Sequence, residues 1–299
     1  MIKIRCEICK KGFLNKKLIN YKTLDRWEEA AGVSTENYYR FWQECDYCKS
    51  VTNIMSPENI KKLDNISSSY YKVDFDKSEV KEKFERIIRL PKEKSDNFWR
   101  SERVSFFLLD WRRMIKKNNR DLKVLDIGAG LGIFLTQFSK TFSSKGTSLK
   151  CFGIEPDPYA YTNLSSIKFI KSENCTLEEY SNKETFDLIT LNKVLEHIRK
   201  PSSFIEKIKP KMSKSFGVLY IEVPDIKNIN FRNANNGILG SFHCHLYSIQ
   251  GLTSLLKNLD LTILQAGRVT EPSGKLSIYV FATLKNSYKE ATVINDTYI

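Results

Sequence analysis

The stretch "VLDIGAGLGIFL", residues 124–135, determines the fold class. An apolar strand ends near Asp126 and is followed by three alternate glycines, Gly128, Gly130 and Gly132, and then by a helical segment. Glycines let a backbone turn tightly and approach a ligand without a Cβ clash, and the amides at a helix start can face a polar or anionic group. Because dinucleotide-binding folds use a similar loop, the surrounding segments must decide what it binds.

Strands alternate with helices after residue 120, which predicts a layered α/β domain. Only "GRVTEPSGK" separates the last two strands, too few residues for a crossover helix, so they should pair antiparallel. We therefore predict a Rossmann-like, seven-stranded sheet with an antiparallel last strand. The predicted strands cover residues 123–127, 149–155, 167–170, 186–190, 216–223, 261–266 and 276–284.

Two further strand ends carry residues typical of a nucleoside site. "IEPD" (154–157) places Glu155 where a carboxylate can accept both hydroxyls of a ribose, and "FDLITLNKVLEH" (186–197) leads from the fourth strand into a helix start. Together with "DIGAGLG" (126–132), these motifs resemble those of class I S-adenosylmethionine-dependent methyltransferases over about residues 120–285. A nicotinamide-type Rossmann domain is the alternative.

The resemblance implies a set of cofactor-binding residues. Asp126 and the three glycines would wrap the amino-acid end of S-adenosylmethionine, and Glu155 would hold its ribose. The other contacts, to the adenine and to the methionine part, would come from Pro156, Asp157, Asn174 and Asn192. Each of these could instead be an ordinary turn residue, an alternative that stays open above all for Asn174 and Asn192.

Four of the seven cysteines form two tight pairs, "CEIC" with Cys6 and Cys9 and "CDYC" with Cys45 and Cys48. Without a recognisable secretion signal, C-x-x-C pairs indicate zinc ligands rather than disulfides. Four thiolates complete the tetrahedral set of a structural Zn²⁺ and leave no open position. The alternative is four unrelated buried thiols.

These patterns divide the chain into four parts: a small zinc-binding module at 1–55, a helical linker or substrate-side segment at 56–119, the methyltransferase domain at 120–285 and a polar tail at 286–299. In the linker, "SEVKEKFERIIR" carries one apolar stripe, and a second helix is predicted from about Asn97 to Lys117 with Trp99, Val104, Phe107, Leu108, Trp111 and Ile115 on its buried side. Further candidates for substrate phosphates are Tyr70, Tyr71 and Arg103.

The segment "SFHCHLYS", residues 241–248, holds two of the three histidines. His243 and His245 are two residues apart, so on an extended backbone they would point the same way. The segment follows the fifth strand, where ligands of open α/β sheets bind. We predict His245, and next His243, as the base that takes a proton from the methyl acceptor; a packing role is the alternative. A catalytic metal is disfavoured because no acidic cluster adjoins the pair.

A two-CxxC module followed by this domain resembles the sugar C-methyltransferases of deoxysugar biosynthesis, on "FHCHLYS" and on "SGKLSIYV" (273–280). Cys244 stands where that family has a catalytic glutamate. The resemblance therefore implies a sugar methyltransferase, acting on a nucleotide-linked sugar or a surface-glycan precursor, and leaves the acceptor atom open.

The net charge of +13 is spread along the chain without a long basic block, so nucleic acid is not the expected partner. The alternatives are an rRNA or tRNA base methyltransferase with a zinc knuckle, and a non-catalytic zinc scaffold with a vestigial methyltransferase domain. The sequence has no stretch of about 20 apolar residues and no apolar leader, which predicts a cytoplasmic protein.

Overall fold

The computed structural model describes residues 4–69, 79–115, 121–144, 148–285 and 293–294. Tyr70 and Tyr71, the end of the second linker helix and most of the predicted tail lie outside these residues. Two β-sheets form the frame of the described chain. None of the described helices has the length and apolar content needed to cross a membrane.

The first sheet is built mainly from the N-terminal module. Its strands are β1 (Ile4–Arg5), β2 (Phe13–Tyr21), β3 (Arg40–Cys45) and β4 (Val51–Met55), and all neighbours pair antiparallel. A fifth strand, β10 (His245–Leu246), comes from the histidine segment and pairs with β4. The N-terminal module is thus completed by residues about 190 positions later in the chain.

The second sheet is the predicted seven-stranded sheet. In spatial order its strands are β11 (Leu261–Thr270), β12 (Leu276–Leu284), β9 (Val218–Pro224), β8 (Leu188–Asn192), β5 (Leu122–Ile127), β6 (Leu149–Ile154) and β7 (Ile170–Glu173). A two-residue strand, β13 (Val293–Ile294), lies beside β11. Strands β5 to β9 pair parallel, whereas β12 pairs antiparallel with both β9 and β11. The predicted fold class is confirmed.

The third predicted strand, 167–170, is misplaced by about three residues. Ile167 and Ile170 lie in successive turns, with backbone bonds from Ile167 N to Leu164 O and from Ile170 N to Ile167 O. The strand β7 begins only at Ile170. The side chain of Ile167 packs in the core close to Gly132, and this burial explains why an apolar pattern was mistaken for a strand.

Helices cover the sheets: α1 (Arg26–Ala30), α2 (Pro57–Asn65), α3 (Glu79–Ile88), α4 (Asp96–Met114), α5 (Ile133–Ser143), α6 (Pro158–Leu164), α7 (Pro201–Ile208) and α8 (Ile249–Lys257). On α4 the predicted apolar face is correct at Val104, Leu108 and Trp111, which are buried, but Trp99 is 47% exposed. Arg100 is buried in its place. The first half of α4 therefore turns a charged face inward.

The two sheets share one apolar core. The cluster that contains the four paired cysteines also contains Leu252, Leu255 and Leu256 of α8 and side chains of β8 and β9. The N-terminal module is therefore packed into the body of the protein.

Candidate active site

A cavity of about 1090 Å³ opens at the carboxyl ends of β5, β6, β8 and β9. Two groups of its lining residues bear on function. We call Gly128, Gly130, Glu155 and Asn192 the glycine-loop side, and Glu196, His197 and His243 the histidine side. One cavity therefore joins the residues predicted for the cofactor to one of the two predicted bases.

The glycine loop needs the conformations that glycine provides. Gly128 has φ 68°, and a Cβ there would lie 2.7 Å from Val194 Cγ2. Gly132 has φ 78° at the start of α5, and a Cβ there would meet Ile167 at 2.7 Å. Gly130, with φ 54°, points its N–H at Glu155 Oε2 over 2.7 Å. These close approaches fix the loop against the body of the protein.

Glu155 is held by backbone amides. Besides Gly130, the N–H of Asp157 donates to its Oε1 at 2.9 Å. Burial raises the pKa of Glu155 to about 7, because the charged form loses its hydration. Each carboxylate oxygen can accept a second hydrogen bond, so this side chain is oriented and still has capacity for a ligand.

Three other predicted cofactor residues have structural partners. Asp157 is 1% exposed and caps α6 by accepting from the N–H groups of Tyr159 and Ala160. Asn174 donates from Nδ2 to the carbonyls of Glu155 and Pro156 at 2.7 and 3.1 Å. Pro156 itself lines the cavity.

Asp126 orients Asn192, the last residue of β8. Its Oδ1 accepts from Thr190 Oγ1 at 2.5 Å and from Asn192 Nδ2 at 2.9 Å. Burial raises the pKa of Asp126 to about 7. The Oδ1 of Asn192 is buried and has no hydrogen-bond partner among the described residues, so it is an acceptor that lacks a donor.

A buried ionic cluster lies beside this side of the cavity. Glu222, fully buried on β9, pairs with Arg100 at 2.5 Å, with Lys193 at 3.1 Å and also with Arg103. Lys193 also reaches Glu271 at 2.6 Å from a backbone with φ 59°. Arg100 and the other cations keep the pKa of Glu222 well below its usual range, against the opposing effect of burial. The prediction that Arg103 contacts a substrate phosphate is not favoured, since its guanidinium is already bound.

On the histidine side, His197 and His243 lie with ring centroids 4.6 Å apart. The Nδ1 of His243 lies 2.8 Å from Ile238 O, and that of His197 lies 3.1 Å from Phe242 O. A carbonyl only accepts, so each Nδ1 carries the ring proton and each Nε2 carries the lone pair. Burial lowers the pKa of His243 to about 3 and that of His197 to about 4, so both rings are neutral.

Glu196 lies close to both imidazole rings. Its carboxylate and the two imidazoles offer ligand atoms within 4.8 Å of one another. Burial raises the pKa of Glu196 to about 8. Sequence reasoning missed Glu196 and His197, although both stand in the quoted "LNKVLEH". An acidic group does adjoin a histidine pair, but the pair is His197 with His243.

The two histidines of "SFHCHLYS" do not point the same way, contrary to the prediction. His245 is 1% exposed, its Nδ1 lies 3.1 Å from Thr52 Oγ1 and its Nε2 lies 3.1 Å from Arg199 O. Both ring nitrogens are thus occupied, and His245 is not among the residues that line the cavity. The strand β10 begins only at His245, so the alternation expected of a strand does not reach back to His243.

The N-terminal sheet holds the segment that carries His243. Asn53 donates from Nδ2 to His243 O at 3.1 Å, and Asp25 accepts from the N–H and the hydroxyl of Ser241 at 2.6 and 2.8 Å. Tyr21 and the buried Arg40 donate to Leu239 O at 2.9 and 3.2 Å. The position of His243 is therefore set by side chains of the N-terminal module.

The four paired cysteines form a buried cluster with the geometry of a metal site. Cys6 Sγ lies 3.8 Å from Cys48 Sγ, and Cys9 Sγ lies 3.7 Å from Cys45 Sγ. Four sulfurs at the usual Zn–S distance of about 2.3 Å in a tetrahedron are about 3.8 Å apart. The sulfurs of Cys9 and Cys45 also accept backbone N–H groups. These residues fit a closed four-thiolate site.

Comparisons with known proteins agree with this fold. A family model described as "Methyltransferase domain" matches residues 99–266. The structure is similar to that of the plantazolicin methyltransferase BpumL in complex with a monoazolic desmethylPZN analog and SAH, with 16% identity, 76% of this chain and 98% of that chain covered, and a TM-score of 0.54. It is also similar to the plantazolicin methyltransferase BamL in complex with a triazolic desmethylPZN analog and SAH, with 14% identity, 74% and 95% coverage, and a TM-score of 0.53.

None of the curated proteins compared with the chain matches it. The family match spans more than half of the chain, from within α4 to within β11. The chain therefore belongs to this family of methyltransferase domains, and the prediction of a methyltransferase is confirmed.

Proposed function

We propose that the protein transfers a methyl group from S-adenosylmethionine to a small polar acceptor, a nucleotide-linked sugar. The observation that carries the proposal is the single cavity that joins the glycine-loop side to the histidine side. Its volume of about 1090 Å³ exceeds the usual range for one drug-sized ligand, roughly 300–1,000 Å³. It offers room for a cofactor and an acceptor together.

The glycine-loop side fits S-adenosylmethionine. Glu155, already oriented by two amides, would accept the ribose hydroxyls. The buried Oδ1 of Asn192, which lacks a donor among the described residues, would accept from the ammonium group of the methionine part. Gly128 and Gly130 would let the backbone approach that part closely. The bound cofactor supplies an electrophilic methyl group on its sulfonium.

His243 is the base that this geometry favours. Its Nδ1–H donates to Ile238 O, so Nε2 has the lone pair, and the residue lines the cavity. Nε2 takes the acceptor's proton while the acceptor atom bonds to the methyl carbon and the methyl–sulfur bond breaks, its electron pair staying on sulfur. Holding the acceptor in line with that bond supplies much of the acceleration. His245, predicted first from the sequence, has no lone pair left for this step.

The sugar acceptor rests on the resemblance of the histidine segment and on charge. Six basic residues line the cavity, namely Arg26, Lys193, Arg199, Lys200, Lys207 and Lys275, against four acidic ones, Asp64, Glu155, Glu178 and Glu196. A cavity with a basic excess suits the phosphates of a nucleotide-linked substrate. Carbon and oxygen acceptors both need proton removal, so the base alone does not separate them.

We further propose that Cys6, Cys9, Cys45 and Cys48 bind one Zn²⁺. Their Sγ spacing of 3.7 to 3.8 Å and their complete burial support a structural site with no open position.

The acceptor is tested by incubating the protein with methyl-labelled S-adenosylmethionine and a panel of nucleotide sugars, followed by mass spectrometry. A gain of one methyl on a nucleotide sugar is expected, and the free nucleotide is the control. Methylation of bulk tRNA or rRNA, with no methylation of any sugar, would show that the acceptor is RNA and not a nucleotide sugar. Absence of cofactor binding in calorimetry would support a vestigial domain.

A further inference from the structure

The histidine side has the composition of an open metal site. Glu196, His197 and His243 present one carboxylate oxygen and two imidazole nitrogens within 4.8 Å of one another. Two histidines and a carboxylate are the ligand set of many catalytic zinc sites and of non-haem iron sites. Three protein ligands leave further coordination positions open, and all three residues line the cavity.

The second hydrogen bond of each ring is also of the kind that metal sites use. A ligating histidine nearly always donates its other N–H to a carbonyl or carboxylate, which fixes the tautomer and the ring orientation. His243 and His197 both do so, through Nδ1 to Ile238 O at 2.8 Å and to Phe242 O at 3.1 Å. Both Nε2 atoms are therefore presented in the form that binds a cation.

Glu196 supplies an independent observation. The residue is 1% exposed, and its Oε2 has no hydrogen-bond partner among the described residues. A buried carboxylate is costly unless it is paired or coordinates a metal. The nearby cation, Lys193, already contacts Glu271 at 2.6 Å and Glu222 at 3.1 Å. The oxygen thus lacks the partner that a metal ion would provide.

We propose that Glu196, His197 and His243 form a second metal site, open to the cavity, for a divalent first-row transition-metal ion such as Zn²⁺ or Co²⁺. Imidazole ligands suit these ions better than Mg²⁺ or Ca²⁺. The site differs from the cysteine cluster in ligands and in access. Its effect on turnover rests on the proposed function: an ion on Nε2 of His243 takes the lone pair that the base needs, so occupancy should inhibit methyl transfer.

The test is a Co²⁺ titration of the full-length metal-free protein, followed by absorption spectroscopy. Thiolate ligands give an intense charge-transfer band that imidazole and carboxylate ligands lack, so the two sites are distinguishable. We expect one equivalent with the thiolate band and a second, weaker equivalent without it. Glu196→Gln and His243→Gln should each weaken the second equivalent by at least about 10–100-fold, the loss caused even by an outer-shell change.

His245→Gln is the matched control, because that ring lies in the same segment but outside the three-residue group; it should keep both equivalents. In every variant, the thiolate band reports that the N-terminal module is folded. A wild-type protein that takes one equivalent only, or variants that keep the second with unchanged affinity, would overturn the metal site and leave the base untouched. Turnover that stays constant or rises when the second site is full would instead overturn the base assignment and leave the site standing.

Discussion

The glycine-loop side and the histidine side of the cavity are assembled in different ways. On the first, the contacts that shape the site join neighbouring strand ends of one sheet, such as Gly130 with Glu155, 25 residues apart. On the second, the segment that carries His243 is held by the N-terminal module, through Asn53 of β4 and Asp25 at the start of α1, 190 and 216 residues away from their partners. Cofactor binding should therefore be a property of the main sheet, whereas proton removal should also need the N-terminal sheet.

Loss of the proposed structural Zn²⁺ is the largest perturbation that would separate the two sides. Apparent binding energies of structural Zn²⁺ are about 10–16 kcal/mol in zinc-finger peptides, so Cys45→Ser should empty the cluster and loosen β1 to β4 with the attached β10. Turnover should be lost while calorimetry still finds cofactor binding. Elemental analysis checks the metal, and hydrogen exchange compares the two sheets.

Cys151→Ser is the control for that experiment, because Cys151 lies outside the cluster and is not among the residues that line the cavity. This variant should keep the zinc, the binding of the cofactor and the turnover. Full turnover in a zinc-free protein would show that the N-terminal sheet does not set the position of His243.

The next effect concerns the proposed base, His243. His243→Gln should lower turnover by about 10²–10⁴-fold, the usual contribution of a general base. Cofactor affinity should not change, since His243 belongs to the histidine side. His245→Gln removes two hydrogen bonds at 3.1 Å and should act on stability, by roughly 1–3 kcal/mol, with turnover of the folded protein retained. Single-turnover kinetics with saturating acceptor separates the two outcomes; the reverse pattern would restore His245 as the base.

A third substitution tests the glycine-loop side. Glu155→Ala removes a charged acceptor, and each hydrogen bond to a charged group contributes about 1.5–3 kcal/mol, so the affinity for S-adenosylmethionine should fall by roughly 10–100-fold per ribose bond. Glu173→Gln, an exposed carboxylate at the end of the adjacent strand, is the control. Calorimetry that finds equal affinities in both variants would remove Glu155 from the cofactor site.

The same difference in assembly explains what the sequence could predict. The seven strands, the glycine loop and the CxxC pairs are local sequence patterns, so each can be recognised without knowing its distant partners. Glu155, Asn192 and Gly130 meet because parallel strands end at one edge. His245 was a misleading candidate because its partners, Thr52 and Arg199, come from distant segments that no spacing reveals. The buried Arg100 was missed for the same reason: its partner Glu222 lies 122 residues away.

The smallest expected effect is a dependence of cofactor affinity on pH, and it concerns the glycine-loop side only. Glu155 has a pKa of about 7, raised from its ordinary value by burial. Its ionised form is the better acceptor for ribose hydroxyls, so affinity should rise with pH through about 7 and level off above it. Between about pH 8 and about pH 6 the carboxyl passes from mostly ionised to mostly neutral, which predicts a loss of affinity of roughly tenfold at most.

Glu155→Gln tests the source of that dependence, because the amide does not titrate and its shape is nearly the same. Asp126, whose pKa is also about 7, changes charge over the same range and orients Asn192, so the double variant with Asp126→Asn should remove the pH dependence that remains.

The free energy of unfolding should depend on pH with the opposite sign. A carboxyl whose pKa is raised in the folded state binds its proton more tightly there. Its contribution to stability is therefore complete below the pKa of the unfolded state and declines as pH rises to about 7. Calorimetric titrations of S-adenosylhomocysteine at several pH values measure the affinity, and thermal melts without ligand measure the stability. If wild-type affinity were constant from about pH 6 to about pH 8, the carboxylate of Glu155 would not be the group that holds the ribose.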